Sequence, residues 1–206
     1  GRRLTKAFDL KASKVGDGFV VVFDDVTAAR HSLEALQEQA LHDPLTGLAN
    51  RSLALQNLRH ALAQLQRGSP SVAVFYLDLD GFKRINDLYG HNVGDELLRE
   101  FAARLLSISR STDTCSRIGG DEFLIICPEM DRSAAAQFAQ RLTEAVNAPI
   151  TTHDQDMAVS ACVGVATTQS ASADPGELIM HADMAMYEAK RRGILPYHAY
   201  TGPLEP

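Results

Sequence analysis

Four carboxylates stand where this chain has the means for chemistry. Asp78 and Asp80 end the apolar run Ser71-Val-Ala-Val-Phe-Tyr-Leu-Asp-Leu-Asp80, so the strand it predicts sends both from one face. Asp121 and Glu122 follow Gly119-Gly120 at a tight turn between two further strand-like runs. If that hairpin pairs beside the central strand, three or four carboxylates meet at one sheet end. There they repel one another and hold their protons more tightly unless a cation neutralises them. Oxygen donors, with no His or Cys in either motif, favour Mg2+ or Mn2+ over zinc. Mg2+ bridging carboxylates to substrate phosphates is the usual chemistry of such a site. Either pair alone is better explained as a strand end or a turn; the two together favour the metal.

The elements that must position these residues alternate along the chain. Leu55, Leu58, Leu62 and Leu65 form one stripe of a helix over 51–66, and the 71–80 run reads as a buried central strand. Helices are expected over 82–89 and 94–108, two strands with a tight turn within 116–127, and a helix over about 131–147. A second strand pair is expected near 149–152 and 156–167, then a last helix over about 175–192. This order predicts an α+β fold, a mixed, antiparallel-rich sheet flanked by helices. Upstream, Gly18-Phe-Val-Val-Val-Phe-Asp-Asp25 is a strand with a partner in 4–14, and two strands alone cannot bury a face. Residues 1–27 therefore read as the edge of an upstream domain, 28–41 as a connecting helix and 42–193 as the main domain. Residues 194–206, with three prolines, read as a tail or linker.

Composition narrows the function classes. The 206 residues carry 26 acidic and 20 basic side chains, a formal charge of -6, which argues against a broad nucleic-acid or anionic-membrane surface. A hydrophobic share of 45% fits a packed core and not a disordered chain. Cys115, Cys127 and Cys162 show no ligand spacing and read as reduced thiols, which points to the cytoplasm. No apolar run has the length of a membrane span. Beginning at Gly1, the chain reads as part of a longer one.

Arg117-Ile-Gly-Gly-Asp-Glu-Phe123 resembles the signature of the GGDEF family of diguanylate cyclases. Supporting motifs stand in order: His42-Asp-Pro-Leu-Thr-Gly-Leu-Ala-Asn-Arg51, Asp78-Leu-Asp-Gly-Phe-Lys-Arg-Ile-Asn-Asp87, Gly90-His-Asn-Val-Gly-Asp95 and Ala182-Asp-Met-Ala-Met-Tyr-Glu-Ala-Lys190. A single short motif is weak, whereas this ordered set covers residues 42–193. The resemblance implies a fold like the palm of polymerases and nucleotidyl cyclases, and a reaction joining two GTP into cyclic di-GMP with release of two pyrophosphates. It assigns Mg2+ (or Mn2+) to Asp78, the carbonyl of Leu79 and Asp121. Glu122 completes the metal shell or helps deprotonate the attacking 3′-hydroxyl.

The same resemblance gives the nucleotide Asn86, His91 and Asp95, and its phosphates the loop Gly81, Phe82 and Lys83 together with Lys190. Gly119 and Gly120 leave room for a ribose. Without it, Asn86 reads as a helix C-cap, His91 as a loop residue, and Asp95 as an acid in the first turn of a 94–108 helix. After Gly193 the family usually continues with an arginine, and Ile194 stands there instead. A charge-assisted phosphate contact is worth roughly 1.5–3 kcal/mol, so the departure implies weaker GTP binding without loss of the chemistry. Arg110 and Asp113, five residues before Gly119, match the spacing of the family's product-inhibition site, and Arg141 matches a second arginine often supplied by a neighbouring subunit. Residues Phe23 to Arg30 resemble the end of a PAS sensor domain. The expected protein is a homodimeric cyclase, product-inhibited and governed by an upstream sensor. The alternative is a catalytically weak or silent module that binds GTP or cyclic di-GMP.

Overall fold

The computed structural model describes residues 6–30, 32, 40–152, 155–157, 159–192 and 197–200. They fall into two compact units, divided between Leu41 and His42. The first holds an antiparallel hairpin of β1 (Phe8–Val15) and β2 (Gly18–Asp25) with Val15 opposite Gly18. Every residue of both strands is exposed, Phe19 at 75%. Asp25 Oδ1 accepts from the Thr27 amide at 3.1 Å and starts a helical turn over 27–30. Most of the expected connecting helix lies outside the described residues.

The second unit is built on β3 (Val72–Leu79), buried along its length except at Asp78. Antiparallel neighbours enclose it, β5 (Glu122–Pro128) on one side and β8 (Ala161–Thr168) on the other. β4 (Thr114–Gly119) pairs outside β5, and β9 (Tyr197–Ala199) runs parallel outside β8, giving the order β4-β5-β3-β8-β9. β9 corrects the reading of 194–206 as tail or linker: Tyr197 to Ala199 pair with Val163 to Val165. Buried on both faces, β3 has no side left for alternating polar residues, which is why it reads as a continuous apolar run.

Alternation along β3 assigns its residues to two cores. Ala73, Phe75, Leu77 and Leu79 pack with Leu97 and Phe101 of α3 (His91–Ile108) and Phe138 of α4 (Arg132–Val146). Val72, Val74 and Tyr76 pack with Leu58 of α1 (Arg51–Leu65) and Ala182 and Met186 of α5 (Pro175–Arg192). Asp78 continues the second series, so it leaves the sheet on the α5 side.

Two boundaries differ from the sequence reading. The helix expected from Gly94 begins at His91: only Gly90, at φ +84°, separates it from α2 (Phe82–Tyr89). The strand expected over 156–167 is two, because β8 ends at Ala161 opposite Leu79, the last residue of β3. Beyond it the chain pairs elsewhere, as β7 (Gln155–Met157) with β6 (Ile150–Thr152).

Gly164 on β8 sets how closely α5 approaches. An added Cβ would run into the Ala182 carbonyl and the Met186 amide, both backbone atoms of α5 that cannot turn aside. Gly164→Ala is expected to destabilise by about 3 kcal/mol, the upper range for overpacking. In a thermal melt that lowers the midpoint by roughly 6–12 °C.

Candidate active site

The end of β3 is pinned on both sides. The Leu79 amide donates to the Asp121 carbonyl at 3.2 Å, and the Asp80 amide to the Ser160 carbonyl at 2.8 Å. Asp78 lies opposite Glu122 of β5 and Cys162 of β8. The hairpin turn thus brings Asp121 beside Asp78. Burial, with the Asp78 charge adding to it, holds the Asp121 carboxyl above the usual carboxylate range. Asp183 on α5 is raised for the same two reasons. Tyr76, one strand position pair below Asp78, is held protonated by burial and by the Glu122 carboxylate it faces.

Lys190, in the last turn of α5, reaches across to this cluster. Its Nζ donates to Asp78 Oδ1 at 2.5 Å and lies 3.6 Å from Asp80 Oδ1, and the Asp78 bond raises its proton affinity. Asp80 is itself fixed, its Oδ2 accepting from Ser160 Oγ at 3.1 Å and Cys162 Sγ at 3.3 Å. Burial and that bond push the Cys162 thiol up to about 12, which keeps it a donor.

The Gly-Gly turn is held by a clamp that the sequence reading did not single out. Arg117 donates through Nε and Nη2 to the Gly120 carbonyl at 2.9 and 2.7 Å, and through Nη1 to both Asp43 oxygens at 3.1 and 3.2 Å. Gly120 takes φ +54°, and open space lies before Gly119. Asp43 belongs to a loop docked on the outer edge of β4, where Ala49 bridges Ser116 and accepts from the Arg117 amide at 2.9 Å. Burial opposes ionisation of Asp43, but bonds from Thr46 and Arg117 outweigh it and hold its carboxyl below the usual range. Both were visible only as letters of two motifs, and nothing local pairs residues 74 apart.

Asn86 sits in the last turn of α2, not at a C-cap; the cap is Gly90, whose amide donates to the Asn86 carbonyl. Its side-chain Oδ1 is buried with no hydrogen-bond partner among the described residues, pressed where a Cβ on Gly94 would stand. A buried acceptor without a donor is costly and suits a ligand that supplies one. Asp95 is half-buried in the second turn of α3, so the helix-dipole explanation for it no longer applies. His91 is exposed as the first residue of α3, and Gly81 precedes the first turn of α2, where Phe82 is half-buried and Lys83 exposed.

On the far side, Arg110 and Asp113 close a turn: the Arg110 amide donates to Asp113 Oδ2 at 2.8 Å and the Asp113 amide to the Arg110 carbonyl at 3.0 Å. The exposed Arg110 side chain and Arg141 line one cavity of about 450 Å³ within a single chain. Ile194 lies outside the described residues.

The donor set fits a hard divalent cation, since Asp78 and Asp121 are oxygen donors whose mutual repulsion one would relieve. Among the described residues, however, no three His, Cys, Asp or Glu side chains are already gathered to cage an ion.

Comparison with known proteins identifies the family of the second unit. Residues 40–194 match the family model described as diguanylate cyclase, GGDEF domain. The chain is 40% identical over 165 residues to the bifunctional diguanylate cyclase/cyclic di-GMP phosphodiesterase MucR of Pseudomonas aeruginosa, covering 80% of this chain and 24% of MucR. It is 37% identical over 177 residues to the cyclic di-GMP phosphodiesterase PdeR of Escherichia coli, covering 86% of this chain and 26% of PdeR. The chain thus spans about a quarter of these two relatives. The crystal structure of the coiled coil and GGDEF domain of DgcB from Caulobacter crescentus, in complex with c-di-GMP, superposes with a TM-score of 0.76. That match has 27% identity and covers 84% of this chain and 93% of the other.

The Arg117–Asp43 pair is mostly buried, so removing one partner strands the other. Arg117→Ala is expected to cost about 3 kcal/mol, read by denaturant unfolding. Because the Asp43 carboxyl is depressed in the fold, its contribution is fully present above the ordinary carboxylate range and lost as pH falls from that range through the lowered folded value. Asp43→Asn should therefore be less stable at neutral pH and lose part of the acid-side decline.

Proposed function

This chain belongs to the GGDEF family of diguanylate cyclase domains, and from that membership we propose that it condenses two GTP into cyclic di-GMP, releasing two pyrophosphates. The observation that carries the reading is the meeting of Asp78, Asp121 and Lys190 at one strand end: paired carboxylates for a metal, with a cation for phosphate. Asp78, the Leu79 carbonyl and Asp121 would hold Mg2+ (or Mn2+), with Glu122 beside them. Bound there, the ion neutralises triphosphate charge and stabilises the leaving pyrophosphate.

The chain's own residues do the rest. Lys190, Lys83 and the amides around Gly81 and Phe82 hold the phosphates. Asn86 Oδ1 and the Asp95 carboxylate accept from guanine N1–H and N2–H, donors that adenine lacks as a pair, and His91 closes the same side. Gly119 and Gly120 let the ribose approach the backbone. A carboxylate, Glu122 or Asp121, takes the 3′-hydroxyl proton as that oxygen bonds to the α-phosphorus of the other GTP and the bond to the β-phosphate oxygen breaks. Ring closure needs the step twice, and one domain holds one GTP. The working unit is therefore a homodimer facing across a two-fold axis, with an upstream sensor setting how often it forms. Arg110, Asp113 and Arg141 bind the product and slow the reaction: a guanidinium reads guanine O6/N7 or a phosphate in a fork.

The relative named as a cyclic di-GMP phosphodiesterase favours a second reading, a nucleotide-binding module without turnover. Incubating the protein with GTP and Mg2+ over a range of protein concentrations separates the two. Cyclic di-GMP and pyrophosphate should appear at a rate rising more steeply than protein concentration; no product at any concentration leaves the regulatory module. Asp121→Asn should abolish product formation yet raise the melting temperature at neutral pH, because it removes a charge that burial disfavours and Asp78 repels. Retained turnover would take Asp121 out of the metal shell. With Arg110→Ala the initial rate should hold while added cyclic di-GMP no longer inhibits, and undiminished inhibition would reject the product site.

A further inference from the structure

Asp78, a metal-binding carboxylate on the proposed reading, carries the Lys190 ammonium. The ammonium pairs with Asp78 Oδ1 and keeps a second, longer contact to Asp80 Oδ1 at 3.6 Å. Asp80 is built to stay in place. Its amide donates to the Ser160 carbonyl, and Ser160 Oγ and Cys162 Sγ both donate to its Oδ2. Its other oxygen faces Lys190. We propose that Lys190 is the resident counter-ion of Asp78 in the nucleotide-free protein, so that a divalent cation reaches Asp78 only together with a polyphosphate that draws the ammonium away, while Asp80 keeps Lys190 within reach. The inference rests on reading this site as the GTP site.

Counting ion pairs gives the reason. A cation arriving alone must break the Lys190–Asp78 pair to make its own, and leaves the ammonium with only Asp80. A cation arriving on a triphosphate breaks the same pair, makes the metal–Asp78 pair and gives the ammonium a phosphate. The side chain is able to make the exchange: it is 44% exposed, on a flexible four-carbon stem. An ion pair so open to water is held weakly enough to trade. Metal and nucleotide therefore bind with strong positive coupling, and the protein does not hold the metal by itself.

The test titrates Mn2+ against the protein without nucleotide, following free Mn2+ by electron paramagnetic resonance. Lys190→Met should bind Mn2+ about fivefold more tightly than wild type, because the exposed pair that competes for Asp78 is gone. Arg191→Met removes the same charge one residue away, from a side chain paired with Glu188 at 3.1 Å, and should stay within about twofold of wild type. Lys190→Arg keeps a cation on Asp78 and should remain as weak as wild type. A non-hydrolysable GTP analogue should then tighten Mn2+ binding in wild type far more than in Lys190→Met. Unaltered Mn2+ affinity in Lys190→Met, or an equal gain in Arg191→Met, overturns the proposal. An analogue that leaves wild-type Mn2+ binding unchanged, with Lys190→Met still gaining for metal alone, rejects the GTP reading and upholds the counter-ion role. Thermal melts of each variant establish that the comparison is between folded proteins.

Discussion

Two carboxylates side by side at the end of a buried strand repel each other, and most of the second unit serves to keep them there. Asp78 has no freedom to leave, because the residues before it are packed on both faces and those after it are bonded to both neighbouring strands. Asp121 is carried in by a turn that would relax if left alone. Arg117 prevents this, tying the Gly120 carbonyl to Asp43 in a loop on the outer edge of the sheet. Lys190 supplies the balancing charge, and it reaches Asp78 because Gly164 lets α5 lie against β8. Remove any of these and the repulsion has a direction in which to relax.

The two cations near the turn differ in kind, and their exposure decides how. Arg117 is 13% exposed, its Nη1 shared between both oxygens of a carboxylate and its Nε and Nη2 forked onto a carbonyl, so its removal leaves buried groups without partners. Lys190 is 44% exposed and makes point contacts to two carboxylates. Pairs of that sort contribute little net stability, typically under about 1 kcal/mol. One cation is therefore a permanent part of the frame, and the other is free to change partner. The proposed function, holding a polyphosphate and then releasing the products, calls for both kinds.

What the sequence disclosed of this arrangement follows from how local each determinant is. β3 was readable as a buried strand because a strand with two buried faces is apolar throughout, and the i, i+2 placement of Asp78 and Asp80 needs only strand geometry. The start of α3 was misplaced because Gly94 resembles a break, whereas it is a packing contact against Asn86 and the break is Gly90. β9 was missed because three residues beside prolines carry no periodicity, and only the exposed edge of β8 makes them a strand. The Arg117–Asp43 clamp and the Lys190–Asp78 pair span 74 and 112 residues, so topology alone creates them. The resemblance to a family named the chemistry-bearing residues; it could not say which of them hold one another.

A net charge of -6 and a polyanionic ligand are compatible for the same reason. In the proposed function the acidic residues at the strand end attract a divalent cation rather than phosphate, and the cations assigned to phosphate are few and placed singly, Lys190 on α5 and Lys83 on α2. Spreading the same number of positive charges over the surface would draw in any polyanion and would not tell a nucleotide from a nucleic acid. Placing one of them on a carboxylate does more: phosphate alone gains a lysine but leaves Asp78 bare and repelling it, and metal alone must evict the lysine. On the proposed reading the two together give both Asp78 and Lys190 a partner, which makes the acidic strand end a filter for the metal–triphosphate complex.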